Sequence, residues 1–414
     1  MNLSLLDPFA VAKEYPEVLT QTLSYGHSTC IKSTRSGDYL ASGLIDGTII
    51  IIDNDTNSTI SILHDHTRSI TSLCWSYCGR YLLSGSRDWK VNLWDLQKGH
   101  VIRSVTFEGP VWNCTLVPGS ESPFQFVAAL LEDDPVFVDM SCANSIKITK
   151  LETDPFVDDG DRKHWTLTCA YEKTGRFIFN GTSKGWLNII DGKSFETVKS
   201  IKICNSNIKG IEFSSIGENV AINSSDRIIR QYKLTIAERE NGTYKLNLEL
   251  ENRYQDAVNR LQWNSVKFNH NSEYLCASTL GATHDVYIWE TGMGSLIKIL
   301  EGSNEELIEV DWNFRRCCIT ATGMDSGMLY NWSIVIPQKW SALAPDFEEI
   351  EENIDYEEKE DEFDFVDYDD DLNKIIEEEE RDIVDVITKE KTDARGFPFV
   401  ESFVINVSLQ PELE

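Results

Sequence analysis

The sequence predicts an all-β protein: a seven-bladed β-propeller closed by its own N-terminal strand and followed by an extended acidic C-terminal tail. Three observations carry the prediction. Between His64 and Asp95 apolar residues alternate through Ile70, Leu73 and Trp75, resume at Tyr81 to Ser84 after a Cys78-Gly79 turn, and resume again at Val91 to Trp94. That is three short strands in a row. Matching strand endings then recur: Ile52 and Trp94 lie 42 residues apart, as do Ile190 and Tyr232, and Trp289 and Trp332 lie 43 apart. Turn residues stand ahead of these endings in Asp46-Gly47, Asp88-Trp89, Lys184-Gly185, Asp226-Arg227, Asp285 and Ser326-Gly327. Glycine and aspartate suit such hairpins because they tolerate positive φ or bond their own backbone. One four-stranded sheet cannot cover its own apolar faces, so units of this kind stack side by side until they close a ring.

The elements follow in order. Leu19 to Leu23 reads as a strand with no blade of its own and is expected to close the ring, because the seventh unit has no outer strand after Ser333, where Pro337 intervenes. Outer strands are expected at Thr59 to Leu63, Val101 to Val105, Lys147 to Leu151, Phe195 to Ile201, Tyr244 to Leu250 and Leu296 to Leu300. The 96 residues between Trp94 and Ile190 hold one degenerate blade, with strands around Phe126 to Leu131 and Val136 to Met140. The 57 residues between Tyr232 and Trp289 exceed the period by about fifteen, an insertion placed within 235–260. The expected division is a closing segment over 1–24, a propeller over 25–336 and a partner-binding tail over 337–414.

The run from His64 to Asp95, with its terminal Trp-Asp pair, resembles the WD40 family. The resemblance implies that His66, Ser84, Asp88 and Trp94 form the hydrogen-bond chain inside a blade, each satisfying a buried neighbour.

The formal net charge is −30 and is unevenly placed. Asp346 to Asp385 contains 22 acids against Lys359, Lys374 and Arg381, a net of −19 that leaves −11 elsewhere. The acidity therefore belongs to the tail, and the propeller is free to present local basic patches. Ten cysteines without a CxxC pair, an opening with no basic leader and the absence of a long apolar run point to a soluble protein of a reducing compartment, with no membrane partner.

No catalytic constellation survives inspection, so no enzyme activity, cofactor, metal or small-molecule substrate is expected. Gly181 to Gly185 and Gly192-Lys193-Ser194 look like phosphate loops, but residue 187 is Leu where the motif needs glycine, and both fall in blade turns. Asp154, Asp158, Asp159 and Asp161 lack the glutamate that closes a calcium loop. His64 and His66 have no Cys or His partner at zinc-site spacing. Cys317-Cys318, in a strand-like run, suits core filling.

From Trp340 onward aromatic residues recur in an acidic background. A purely solubilising tail accounts for the acids but not for Phe347, Tyr356, Phe363, Phe365 and Tyr368. A segment that folds on a partner needs such anchors beside its charges. The opening Met1 to Leu6, the run Ser72 to Ser76, Asp226 to Arg230, and above all Trp340 to Phe347 followed by Tyr356 to Asp364, resemble the retinoblastoma-binding-protein-five type of WD40 subunit in fungal COMPASS. That complex methylates histone H3 on lysine four.

The resemblance implies a non-catalytic scaffold and activator acting in the nucleus, with three tail segments. Ala342 to Asp355, centred on Ala344, Pro345, Asp346 and Phe347, would steady the catalytic SET domain. Tyr356, Glu357, Glu358, Glu360, Phe363 and Asp364 would form an acidic box for a SPRY-domain subunit, and Val384, Asp385 and Val386 a short strand gripped by a second WD40 subunit. Arg227 and Arg230 would face nucleosomal DNA, although from the residues alone an exposed salt bridge or core-edge packing is the favoured account of them. A propeller adaptor of another assembly, such as a ubiquitin ligase or an mRNA-processing complex, is the alternative. Gly396 to Phe399 and the alternating run Ser402 to Val407 match nothing in the resemblance. They could supply a strand returning to the propeller.

Overall fold

The structure, a computed structural model, describes residues 15–119, 123–131, 133–142, 145–151, 165–238, 244–256, 260–281, 284–313, 316–334 and 403–405. Among these residues every regular element is a strand, and the strands assemble into seven antiparallel four-stranded sheets, the blades of a propeller. Blades 1 to 6 take four consecutive strands each. The seventh completes itself with the N-terminal strand Val18–Leu23, which pairs antiparallel with Leu329–Ser333.

Why these residues form strands is plain in blade 2. Its second and third strands, Tyr81–Ser86 and Lys90–Asp95, bury every residue after the first, because each is sandwiched between neighbouring blades. In its outer strand His100–Thr106 only Val105 is buried and the other residues are exposed or partly buried, as an edge facing water should be. First strands of adjacent blades touch one another around the ring and line its channel. Close approach between blades sets a size limit: a Cβ on Gly43, in the second strand of blade 1, would stand 2.7 Å from Cys30 Sγ of its own blade and 2.7 Å from Ile70 Cβ of the next.

The degenerate blade is complete, with strands Val111–Leu116, Gln125–Leu130, Val136–Asp139 and Lys147–Lys150. The excess length after Tyr232 is a long hairpin, not a loop: the third and outer strands of blade 5 extend to Ile229–Glu238 and Tyr244–Tyr254, with Glu238 paired to Tyr244 near the tip. Two expectations need correction. The outer strand of blade 4 begins at Thr197, because Phe195 takes φ 60 within the preceding turn. Cys317 and Cys318 lie in the bend before Ile319–Gly323, outside any strand.

The ring closes on Trp332, which is fully buried and stands opposite Leu19, with Leu23 opposite Leu329. Deleting residues 1–23 would leave the backbone edge of Leu329–Ser333 unpaired, an invitation to intermolecular strand pairing. The expected result is a thermal midpoint several degrees lower and concentration-dependent light scattering; an unchanged midpoint would show that closure contributes little.

Candidate functional site

Blade 2 holds the four residues singled out by their spacing in one continuous chain. Trp94 Nε1, which can only donate, bonds Ser84 Oγ at 2.8 Å, and Ser84 Oγ lies 2.8 Å from His66 Nε2. The opposite ring nitrogen, His66 Nδ1, lies 2.8 Å from Asp88 Oδ2. The carboxylate, which can only accept, sets the order: Nδ1–H donates to Asp88, and in the neutral imidazole Nε2 then accepts the serine hydroxyl. Asp88 also accepts the backbone N–H groups of Thr67 and Lys90, so one carboxylate pins the turn at residues 86–90 to the loop that carries His66. Burial alone would raise the Asp88 carboxyl; the bond from His66 and the two amides outweigh it and hold the group below its usual range.

Blade 7 reaches the same end with a different residue. Glu305 stands in the corresponding loop and accepts Asp325 N and Ser326 N at 2.7 Å each, the Ser326 hydroxyl, and Tyr330 Oη at 3.0 Å. In blade 5 the Tyr254 hydroxyl bonds Gln231 Oε1, and Gln231 Nε2 bonds Glu251 at 2.9 Å. The repeat spacing gave no signal for these, since the positions carry different residue types in each blade.

The channel wall is charged. Lys32 Nζ lies 3.5 Å from Asp311, Lys267 Nζ lies 2.9 Å from Glu212, and Glu309 Oε2 accepts Ile31 N at 3.1 Å, all on first strands of different blades. Burial pushes the Glu309 carboxyl up to about 7 against the pull of Lys267, the Ile31 amide and Lys32. Next to this network a cavity of about 350 Å³ opens, with Trp75, Tyr77, Phe213, Phe268 and Trp312 on its wall.

The two arginines differ. Arg230 is tied to Asp226 in a short ion pair at 2.5 Å and donates to Ser224 Oγ at 2.9 Å, its side chain 12% exposed. This is the salt-bridge reading, and it arises because Arg230 lies on the third strand, across from the turn that carries Asp226. Arg227 is exposed, sits at the hairpin turn with φ 74, and its carbonyl accepts Trp263 Nε1. Ala344, Pro345, Asp346, Phe347, Tyr356, Glu357, Glu358, Glu360, Phe363, Asp364, Val384, Asp385 and Val386 lie outside the described residues.

Of the C-terminal run, Phe403 to Ile405 is described. It is not a strand, yet Ile405 is 5% exposed in the core shared by blades 1 and 2, near Tyr39, Leu82 and Trp94, and its N–H meets Tyr39 Oη at 3.4 Å. His64 Nδ1 contacts Thr48 Oγ1 at 3.2 Å, and no metal-holding cluster of His, Cys, Asp or Glu occurs among the described residues. Nor is any helix among them long and apolar enough to cross a membrane.

These sheets and the blade 2 hydrogen-bond chain define a WD40 propeller, and the family described as WD domain, G-beta repeat matches residues 18–53 and 57–95. Among known proteins the chain is 44% identical to the Set1 complex component swd1 of Schizosaccharomyces pombe, covering 86% of this chain and 88% of that one. It is 43% identical to the COMPASS component SWD1 of Saccharomyces cerevisiae, covering 98% and 97%. A retinoblastoma-binding protein 5 homolog of Drosophila melanogaster is 33% identical, covering 86% and 70%. A solved structure, the β-propeller domain of Cps50 (Swd1) from Myceliophteria thermophila, superposes with a TM-score of 0.72 at 39% identity, over 77% of this chain and all of that one. The chain belongs to the Swd1 and retinoblastoma-binding-protein-5 family of WD40 proteins.

Two pH responses of opposite sign follow. Asp88, depressed in the fold, contributes stability above the unfolded carboxyl value that is lost as pH falls through the folded one. His66→Ala or Asp88→Ala should therefore cost about 1–3 kcal/mol near neutrality, and Asp88→Asn should flatten the acid limb of a denaturation-against-pH curve below about pH 4. Glu309, raised in the fold, makes stability fall as pH climbs from the ordinary carboxylate range toward 7. Water reaches this channel, where Lys32 is 32% exposed, so Glu309→Gln should stabilise by only about 1 kcal/mol at pH 8. At pH 4 it should change little; a gain there equal to that at pH 8 would mean that charge is not the cause.

Proposed function

We propose that this chain is a non-catalytic scaffold and activating subunit of a COMPASS-type histone H3 lysine-four methyltransferase, working in the nucleus. The observation that carries the reading is its 43% identity along 97% of a COMPASS component, tail included. Two further relatives, one from the Set1 complex and one a retinoblastoma-binding protein 5 homolog, support it.

Ala344, Pro345, Asp346 and Phe347 lie against the SET domain and favour its active conformation, the way a ligand biases a two-state element. Tyr356, Glu357, Glu358, Glu360, Phe363 and Asp364 offer carboxylates to arginine forks of a SPRY-domain subunit. Val384, Asp385 and Val386 engage a second WD40 subunit by strand addition. Nucleosomal DNA is met at Arg227, which is exposed at a hairpin tip, whereas Arg230 is occupied by Asp226.

An anchor and an activator fail differently. Replacing Glu358 and Asp364 should weaken binding of the SPRY subunit by about 2–5 kcal/mol at low salt, a loss that shrinks as salt screens the pairs. Phe347→Ala should leave assembly intact at saturating subunit concentrations and slow methylation of histone H3. Both are read by pull-down and methylation assays on the reconstituted complex, and a Phe347 variant of full activity would remove the activation segment from the proposal. Arg227→Ala should lower the salt slope of nucleosome binding by about one; an unchanged slope would release Arg227 from DNA.

A further inference from the structure

Where the turn of blade 2 meets the start of blade 3, two large aromatic side chains stand in water: Trp89 is 48% exposed and Trp112 43%, with Leu131 at 37% beside them. They line a cleft of about 680 Å³ whose remaining walls are Thr67, Arg68, Arg87, Asp88 and Pro110. Its one carboxylate is already committed, since Asp88 accepts His66, Thr67 and Lys90. Arg68 and Arg87 are exposed, and neither guanidinium has an acid partner among the described residues. The uncommitted charge of the cleft is therefore positive, set around an apolar floor.

A second observation is independent of exposure. Trp89 holds φ 70, while the matching hairpin positions of blades 1, 4 and 7 are Gly47, Gly185 and Gly327 at φ 93, 79 and 69. Glycine serves the turn without strain, and a bulky side chain there, Trp89 in blade 2 or Arg227 at φ 74 in blade 5, adopts it at a cost. Strain of this kind persists where the side chain itself is needed.

We propose that Trp89, Trp112, Pro110 and Leu131, flanked by Arg68 and Arg87, form a docking cleft for an extended acidic peptide that carries an apolar anchor. The two indoles and Leu131 receive the anchor, and the guanidiniums take carboxylates on either side. Single-stranded nucleic acid also uses tryptophan and arginine, but it asks for a row of cations along its backbone. This cleft has two, Arg68 and Arg87. The site is distinct from Arg227 in blade 5 and from the tail segments, and does not rest on the function proposed above.

The test uses the full chain and a fluorescein-labelled peptide, Glu-Asp-Phe-Glu-Leu-Asp-Glu, followed by anisotropy. Its twins carry lysine for each acid or alanine for Phe and Leu, and labelled oligothymidine serves as the nucleic-acid arm. Binding is expected for the parent peptide alone, weakened at least tenfold by Trp89→Gly and by the paired change Arg68→Glu, Arg87→Glu. Because glycine relieves the turn, Trp89→Gly should raise the thermal midpoint while it lowers affinity, two readouts of opposite sign that misfolding cannot imitate. A variant that binds as the parent chain does, a midpoint that falls, tighter binding of oligothymidine or of either twin, or no binding of the parent peptide would each overturn the proposal.

Discussion

The pairing of Val18–Leu23 with Leu329–Ser333 is the contact on which the other blades depend. A propeller blade is stable only while both its faces are covered, and in an open arc the two terminal blades would each expose one. Residues more than 300 apart in sequence must meet for this one strand pair, so its loop-closure entropy is carried by burial of Trp332 and its neighbours. Once closed, the ring is stitched from inside by side chains reaching the next blade's backbone: Thr29 Oγ1 to Ile70 O, Thr71 Oγ1 to Val111 O, Asn113 Nδ2 to Cys169 O, Lys209 Nζ to Trp263 O and Asn264 Nδ2 to Leu307 O. Across the closure itself the backbone N–H groups of Ile31 and Ser33 donate to Glu309 and Asp311.

Within blades, the polar staples trade identity while keeping their task. His66 with Asp88 in blade 2, Glu305 in blade 7 and Arg230 with Asp226 in blade 5 each tie the turn between second and third strands to something rigid. A histidine can satisfy two neighbours at once, a carboxylate can collect several amides, and an arginine can reach across its own hairpin. Each leaves a different surface above it. The turn over His66 presents Trp89, and the turn over Arg230 presents Arg227.

The sequence made the ring legible because its signals are local and repeated: two-residue alternation, turn chemistry at a fixed period, and a Trp-Asp pair closing a strand. It also made the closing strand legible, through the absence of an outer strand after Ser333. What escaped is what depends on neighbours distant in the chain. Nothing in the text around Glu309 says that a lysine from blade 1 will face it, and Glu305 stands where the pattern of blade 2 has a histidine. The long hairpin of blade 5 was measurable as excess length but not as strand, since length alone does not distinguish a loop from a ribbon. Arg227 and Arg230 stood as a pair in the sequence; only the position of Asp226 separates them.

The seating of Ile405 beside Tyr39 and Trp94 has a consequence for the seam between blades 1 and 2. Residues 366 positions apart in sequence meet there, and an apolar side chain from outside the four-stranded sheets closes part of the core between two blades. Emptying that seat would leave a void lined by Leu82 and Trp94, so the packing of blades 1 and 2 is finished by a residue that belongs to neither of them.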